Sequence, residues 1–284
     1  MQKQKNVLIT GVSTGIGAEC AKVFAGNGYR VFGSVRKEAD AQSLKDELGD
    51  QFEALVFDVT DHEAVDRAAE QLTKVLDGEG LACLINNAGM AVSGPMMHVS
   101  MEDLKLQFDV NVIGLVKVTQ AFLPLLGAKK DYPHHPGKIL NISSVAGKIG
   151  MPFMGPYVGS KHALEGISES MRRELMLYGI DVIVIGPGAI KTPIWNKGMD
   201  QISTDNDFAE SLQIFGGRVI KGTLKHALEP DDLARSIFNI FNSTSPKVRY
   251  AFVSEKFKGW VLPRLLPSRF IDRAIAKMLK LKRS

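Results

Sequence analysis

The chain is short of cysteine, of aromatic residues and of long hydrophobic runs, and each shortage excludes something. Only two cysteines occur in 284 residues, Cys20 and Cys83, each inside an apolar periodic stretch rather than in a CxxC pair. That usage excludes a disulfide framework and points to buried free thiols, not a redox or metal site. His134 and His135 are adjacent but have no third ligand in view, so no metal is expected. No apolar run approaches the roughly 20 residues of a membrane-spanning helix. The start, "MQKQKNVLIT", runs almost at once into an apolar strand and leaves no room for a signal peptide, so a cytoplasmic protein is the expectation. Linkers, low-complexity blocks and internal repeats are missing too, and one domain follows. Charge of one sign is scarce until the end. From Lys256 onward nine Lys or Arg face a single Asp, which makes the tail +8 and the preceding chain −4. No nucleic-acid module accompanies this tail, so nucleic acid is not an expected partner.

What the chain does have is alternation. The β-branched-rich runs "NVLIT", "RVFGSV", "FEALVFDV", "LACLIN", "KILNIS", "DVIVIG" and "VRYAFV" are separated mostly by stretches of helical period. Seven strands alternating with helices read as βαβ units, hence an α/β fold with a parallel sheet covered on both faces. The loop "KKDYPHHPG" joins a helix to the fifth strand and should lie at the strands' N-terminal edge, away from the ligand crevice.

The first strand leads directly into "TGVSTGIG", residues 10 to 17, and then a helix. Glycines at 11, 15 and 17 allow a tight turn. With Ser13, Thr14 and Ile16 they let backbone amides approach a pyrophosphate at the helix N-terminus. Further along, "GPYVGSKHA" sets Lys161 four residues after Tyr157. On a helix the two share a face, with the ammonium close to the phenol. A free tyrosine has a pKa of about 10, so acting as a base near neutrality requires a lowered value. Lys161 is the group expected to lower it. His162, one step on, points roughly 100° away and reads as packing or surface.

The GxxxGxG spacing, with the elements that follow, resembles the single-domain short-chain dehydrogenase/reductase family over roughly residues 5 to 255. "NNAG" at 86 to 89 follows the fourth strand as in that family, placing Asn87, Ala88 and Gly89 at the cofactor. "DV", Asp58 and Val59, ends the third strand where members contact adenine. Asn111, Ser144, Tyr157 and Lys161 match the family's catalytic tetrad, and "PGAIKT", with Pro187, Gly188, Ile190 and Thr192, resembles the segment at the nicotinamide end. The resemblance implies a Rossmann-type doubly wound sheet with a catalytic domain over 1–255. A substrate lid would span about 193–228 and a basic amphipathic extension 256–284. It implies that Tyr157 is the general acid in reduction and the general base in oxidation, and that Asn111 relays water to Lys161. Ser144 would bond the substrate oxygen; Ser143 points to the other strand face. Pairing into a homodimer or homotetramer would run through helices at about 101–126 and 157–178.

Cofactor choice is read at the end of strand two, where an acidic residue would hold the ribose of NAD. Val35 stands there, followed by Arg36 and Lys37. Arg36 can clamp a 2′-phosphate, which favours NADP(H). Thr14 stands where many NADP-using relatives carry a basic residue, which keeps NAD(H) as the runner-up. Met90, Met96, Met97, Met101, Met151 and Met154 fill the loops after strands four and five and suggest an adaptable apolar pocket. The lid offers Ile194, Trp195, Phe208, Leu212, Ile214 and Phe215. A small lipophilic ketone or secondary alcohol of steroid, retinoid or fatty type is the expected substrate. The contacts named for it are Ser144, Tyr157, Met90, Met151, Met154 and Trp195. A 3-oxoacyl thioester reductase and a non-catalytic nucleotide-binding regulator are the alternatives. In "SRFIDRAIAKMLKLK", Arg269, Arg273 and Lys277 form one helical stripe and Ile271, Ala274, Ile275 and Met278 another. Such a helix folds back over the substrate mouth or the sheet edge, or touches an anionic membrane surface. This combination is loosely similar to the retinol and 17β-hydroxysteroid dehydrogenase branch.

Overall fold

Each of the seven apolar runs forms a strand. The computed structural model describes residues 5–193 and 207–281, with β1 (Asn6–Ile9), β2 (Arg30–Val35), β3 (Phe52–Val56), β4 (Leu81–Asn86), β5 (Lys138–Ile142), β6 (Asp181–Pro187) and β7 (Arg249–Phe252). All pair in parallel in the order β3-β2-β1-β4-β5-β6-β7. The order reverses between β1 and β4, and open α/β sheets bind ligands in the crevice at the carboxyl ends of such a pair.

The described helices are α1 (Gly15–Gly26), α2 (Gln42–Leu48), α3 (His62–Leu76), α4 (Met101–Phe108), α5 (Leu115–Leu126), α6 (Gly155–Glu174), α7 (Ala209–Ile214), α8 (Lys221–Lys225), α9 (Pro230–Asn242), α10 (Leu262–Leu265) and α11 (Ser268–Leu279). Because side chains alternate across a strand, each strand feeds two cores. Val7, Ile9, Val31, Ile85, Leu140 and Ile185 enter one, which α1 and α9 cover; Leu8, Phe32, Leu84, Ile139 and Val182 enter the other, beneath α3 and α5. The first is tied by Phe24, Tyr29, Phe238 and Phe241, whose ring centroids lie 5.1 to 6.3 Å apart. Cys20 and Cys83 are free thiols buried in that core, where burial pushes both well above the usual thiol range.

A π turn, Asp109–Gly114, joins α4 and α5 into one continuous helix. From Met101 to Leu126 this helix is long and apolar enough to cross a membrane, which inspection of unbroken apolar runs had not indicated. Half of its most apolar stretch is buried, with Val118, Phe122 and Leu126 in the second core. The His134 loop lies at the strands' N-terminal edge as read, where His134 Nε2 is 2.8 Å from Gly78 O.

A third core stands outside the sheet. Phe153 from the loop after β5 meets Leu212, Phe215 and Ile220 of the segment 207–228 and Leu279 of α11, with Met154, Phe208 and Ile275 packed against them. Lys280 pairs with Glu210 on α7. The C-terminal helix thus folds back onto that segment.

Candidate active site

The turn between β1 and α1 is built around close approach. Gly11 and Gly15 have φ of +70° and +63°, a region that costs other residues energy. A Cβ on Gly17 would stand 2.4 Å from Gly11 O and 2.5 Å from Asn87 Nδ2, so a side chain there would part helix from turn. Asn87 Nδ2 donates to the carbonyls of Thr10 and Gly11 at 2.9 and 3.0 Å, and Thr10 Oγ1 accepts from the amides of Asn87 and Ala88, both at 3.0 Å. Asn87 therefore fastens the turn to the loop after β4. Ser13 and Thr14 are exposed; Thr14 makes no side-chain cap, and the first turn of α1 holds no carboxylate. Uncapped amides and the helix dipole fit a pyrophosphate at this end. Thr192 closes the same corner, its Cγ2 3.0 Å from where a Cβ on Gly15 would be. Arg36 and Lys37 follow β2 and are exposed.

Across the crevice, β5 delivers two serines to opposite sides, as alternation requires. Ser143 Oγ donates to Glu165 Oε1 at 2.9 Å. Ser144 Oγ lies 3.3 Å from Pro187 O, accepts from Ala146 N at 3.1 Å, and stands near enough to the Tyr157 hydroxyl to lower its pKa. Tyr157 sits in the first turn of α6, with Lys161 one turn on. The buried Lys161 Nζ donates to Ile142 O at 2.8 Å and lies 5.8 Å from the Tyr157 ring centroid. Burial draws the Lys161 pKa down to about 8, opposed by the Glu165 carboxylate a further turn along. Burial also raises the Tyr157 pKa, opposed by the hydrogen bond from Ser144. In the protein alone, then, burial raises the Tyr157 pKa, contrary to the lowering expected from Lys161.

Asn111 lies within the π turn and is buried. Its Oδ1 accepts from Met90 N at 2.9 Å, while Nδ2 donates to Met90 O at 3.0 Å and Ser160 Oγ at 3.1 Å. Ser160 in turn donates to Tyr157 O at 2.8 Å. Gln107, one turn before Asn111, is fully buried and binds Val92 N and Met90 O at 2.7 and 2.9 Å. The loop after β4 is thus pinned from the helix side.

Several expectations are corrected. β3 ends at Val56, so Asp58 and Val59 follow the strand rather than end it; the Asp58 carboxylate accepts from Thr60 N and Oγ1, and Val59 is buried. The Ile190 side chain belongs to the first core, and its backbone bridges Leu228 at the lid's end. Met96, Met97, Met101 and Met151 are exposed, which reduces the methionine pocket to Met90 and Met154. Met154 packs on the third core, its Sδ 3.1 Å from Ser93 Oγ. Trp195 and Ile194 lie outside the described residues. His162 is exposed, its Nδ1 2.9 Å from Val158 O. Sequence reasoning missed Thr10, Gln107, Ser160 and Glu165. Two had a signal: Glu165 continues the four-residue spacing of Tyr157 and Lys161, and Gln107 precedes Asn111 by the same interval.

The family profile described as short chain dehydrogenase matches residues 5–202. The NADPH-dependent 3-dehydrocapnine reductase of Ornithobacterium rhinotracheale is 41% identical over 275 residues, 96% of each chain. Retinol dehydrogenase 16 of Mus musculus is 32% identical over 228 residues, 78% of this chain and 70% of that protein. Among solved structures, a short-chain dehydrogenase from Streptomyces avermitilis superposes with a TM-score of 0.79 at 25% identity, covering 99% of this chain and 96% of that one. ElxO with NADP bound gives 0.70 at 26%, covering 88% and 96%.

Proposed function

The chain belongs to the short-chain dehydrogenase/reductase family and is an NADP(H)-dependent oxidoreductase, and from that premise we propose that it interconverts a lipophilic ketone and its secondary alcohol. One observation carries the reading: the buried Lys161 one turn on from Tyr157, its Nζ 5.8 Å from the tyrosine ring centroid, with Ser144 at the same strand ends that also hold the uncapped start of α1. Bound cofactor supplies or accepts the hydride. Ser144 holds the substrate oxygen where charge develops. Tyr157 gives that oxygen a proton in reduction and takes it back in oxidation. Lys161 stabilises the phenolate left behind, and Asn111 relays water towards it. The Gly11–Gly17 turn takes the pyrophosphate, Arg36 with Lys37 the 2′-phosphate, Asp58 and Val59 the adenine, and Asn87–Gly89 with Pro187–Thr192 the nicotinamide end. Met90 and Met154 stand on the substrate side.

A lipophilic substrate is supported by the lid, whose packing rests on Phe208, Leu212 and Phe215, and by a relative named as a reductase of a 3-dehydro compound. Turnover of methyl ketones from 2-butanone to 2-pentadecanone with NADPH and NADH tests this. Rising kcat/KM with chain length and a preference for NADPH are expected. Activity confined to 3-oxoacyl thioesters would move the assignment to the alternative. Arg36→Ala should weaken NADPH and spare NADH; equal loss of both would remove Arg36 from phosphate recognition.

Association is part of the same proposal. Leu106 and Ile113 near the π turn, and Met176 and Leu177 just past α6, are exposed, which suits pairing into a homodimer or homotetramer through those helices. On α11 the exposed Arg269, Arg273 and Lys277 run beside exposed Phe270 and Met278, a surface suited to peripheral contact with anionic lipid.

A further inference from the structure

We infer that Arg249 is a positioning residue for Ser144, and that Trp260 of the C-terminal segment holds it in place; the inference rests on the catalytic assignment above. Arg249 opens β7, and its side chain is largely buried. Nη2 donates to the main-chain oxygen of Ser144 at 3.1 Å and lies 2.8 Å from Glu165 Oε1, while Nε is 2.9 Å from both Glu165 oxygens. The same buried carboxylate takes the Ser143 hydroxyl at 2.9 Å and pairs with Lys148 at 3.3 Å. One arginine and one glutamate therefore grip both serines of the turn after β5, one by its side chain and the other by its main chain.

The surroundings make room for this grip. A Cβ on Gly186 would stand 2.4 Å from Arg249 Nη2, and one on Gly147 would stand 2.7 Å from Ser143 Oγ and 2.9 Å from Glu165 Oε1. Any side chain at either place would displace the clamp. The buried Trp260 ring takes two guanidinium groups over it, Arg249 Cζ at 4.3 Å and Arg264 Cζ at 4.5 Å from its centroid. Cation–π contact fixes the plane of a guanidinium, and that plane decides whether a second N–H reaches Ser144 O. Lys161 on α6, Lys148 on the turn and Arg249 on β7 are the charged groups that pair or couple with Glu165, with Arg264 beyond the ring. Arg249 acts only through Ser144 and through the Glu165 charge beside Lys161.

The test compares wild type with Tyr157→Phe, Arg249→Lys, Trp260→Leu, Trp260→Phe and Glu165→Gln. The probe is NADPH with the best methyl ketone of the series. Kinetics, NADPH affinity by fluorescence titration and melting temperature are read together. Arg249→Lys keeps a cation beside Glu165 but loses the planar fork, so kcat should fall about tenfold or more with NADPH affinity unchanged. Trp260→Leu should lower kcat in the same sense and Trp260→Phe should restore most of it. Glu165→Gln withdraws a charge that favours the Lys161 ammonium, so the alkaline limb of the reduction profile should move to lower pH. The inference is overturned if Arg249→Lys and Trp260→Leu keep kcat within about twofold of wild type, or if their losses fall on NADPH affinity instead. An active Tyr157→Phe would remove the catalytic premise itself. An inactive Tyr157→Phe beside a fully active Arg249→Lys would remove this inference alone.

Discussion

Tyr157 holds its proton more tightly than a free tyrosine does, because burial outweighs its hydrogen bond from Ser144. A group in that state is protonated at neutral pH, as reduction of a substrate oxygen requires, although its raised pKa makes it the weaker acid. Tyr157→Phe should therefore lower kcat by about 10²–10⁴-fold, the usual worth of general acid–base catalysis, while NADPH affinity measured by fluorescence stays the same. Lys161 gives a second prediction, on stability. Its folded pKa of about 8 lies below the ordinary lysine value of about 10.4, so the unfolded chain binds more protons between those two values. Stability contributed at this residue is present above the upper value and lost as pH falls through about 8. Against Lys161→Met, wild type should gain about 1–3 kcal/mol between pH 7.5 and 10 in denaturant melts; an unchanged difference would mean that the ammonium is not desolvated. Tyr157, Lys161 and Ser144 were legible through the family resemblance, and the helical period added that Tyr157 and Lys161 share a face. Arg249 was not, since it reaches Glu165 across 84 residues and no local period carries that information.

The strands were the most legible elements. Each carries apolar residues to both faces, and an unbroken β-branched run is what a doubly covered parallel strand requires. The π turn at Asp109–Gly114 was illegible, because one widened turn leaves the surrounding helical period almost intact. Yet it carries the Asn111 that pins Met90. The lid was half legible: its apolar residues were visible, its partner was not. Leu279 is fully buried against it, so Leu279→Ala should cost about 2–5 kcal/mol locally. The lid would then loosen, and KM should rise more for 2-pentadecanone than for 2-butanone. An equal change in both would detach α11 from substrate selection. A chain ending at Glu255 loses Trp260 as well, and should add a fall in kcat to that change in selectivity.

At the scale of the whole molecule, charge is divided rather than balanced, with an acidic body and a tail of +8. Attraction of about 1 kcal/mol per basic residue near an anionic leaflet falls steeply with salt. Co-sedimentation with phosphatidylserine–phosphatidylcholine vesicles at low salt, lost at high salt, is expected for the intact protein and not for Arg269→Glu/Arg273→Glu. Sedimentation that ignores both salt and substitution would exclude the exposed face of α11. The aromatic knot of Phe24, Tyr29, Phe238 and Phe241 bears on time rather than on binding. It joins a helix at the beginning of the fold to one more than two hundred residues later, and contacts of such separation are slow to form because a long loop must close first. The glycine turn that begins α1 is therefore seated late: during refolding, the ability to hold a dinucleotide should return only with the slowest phase, after most of the secondary structure is already in place.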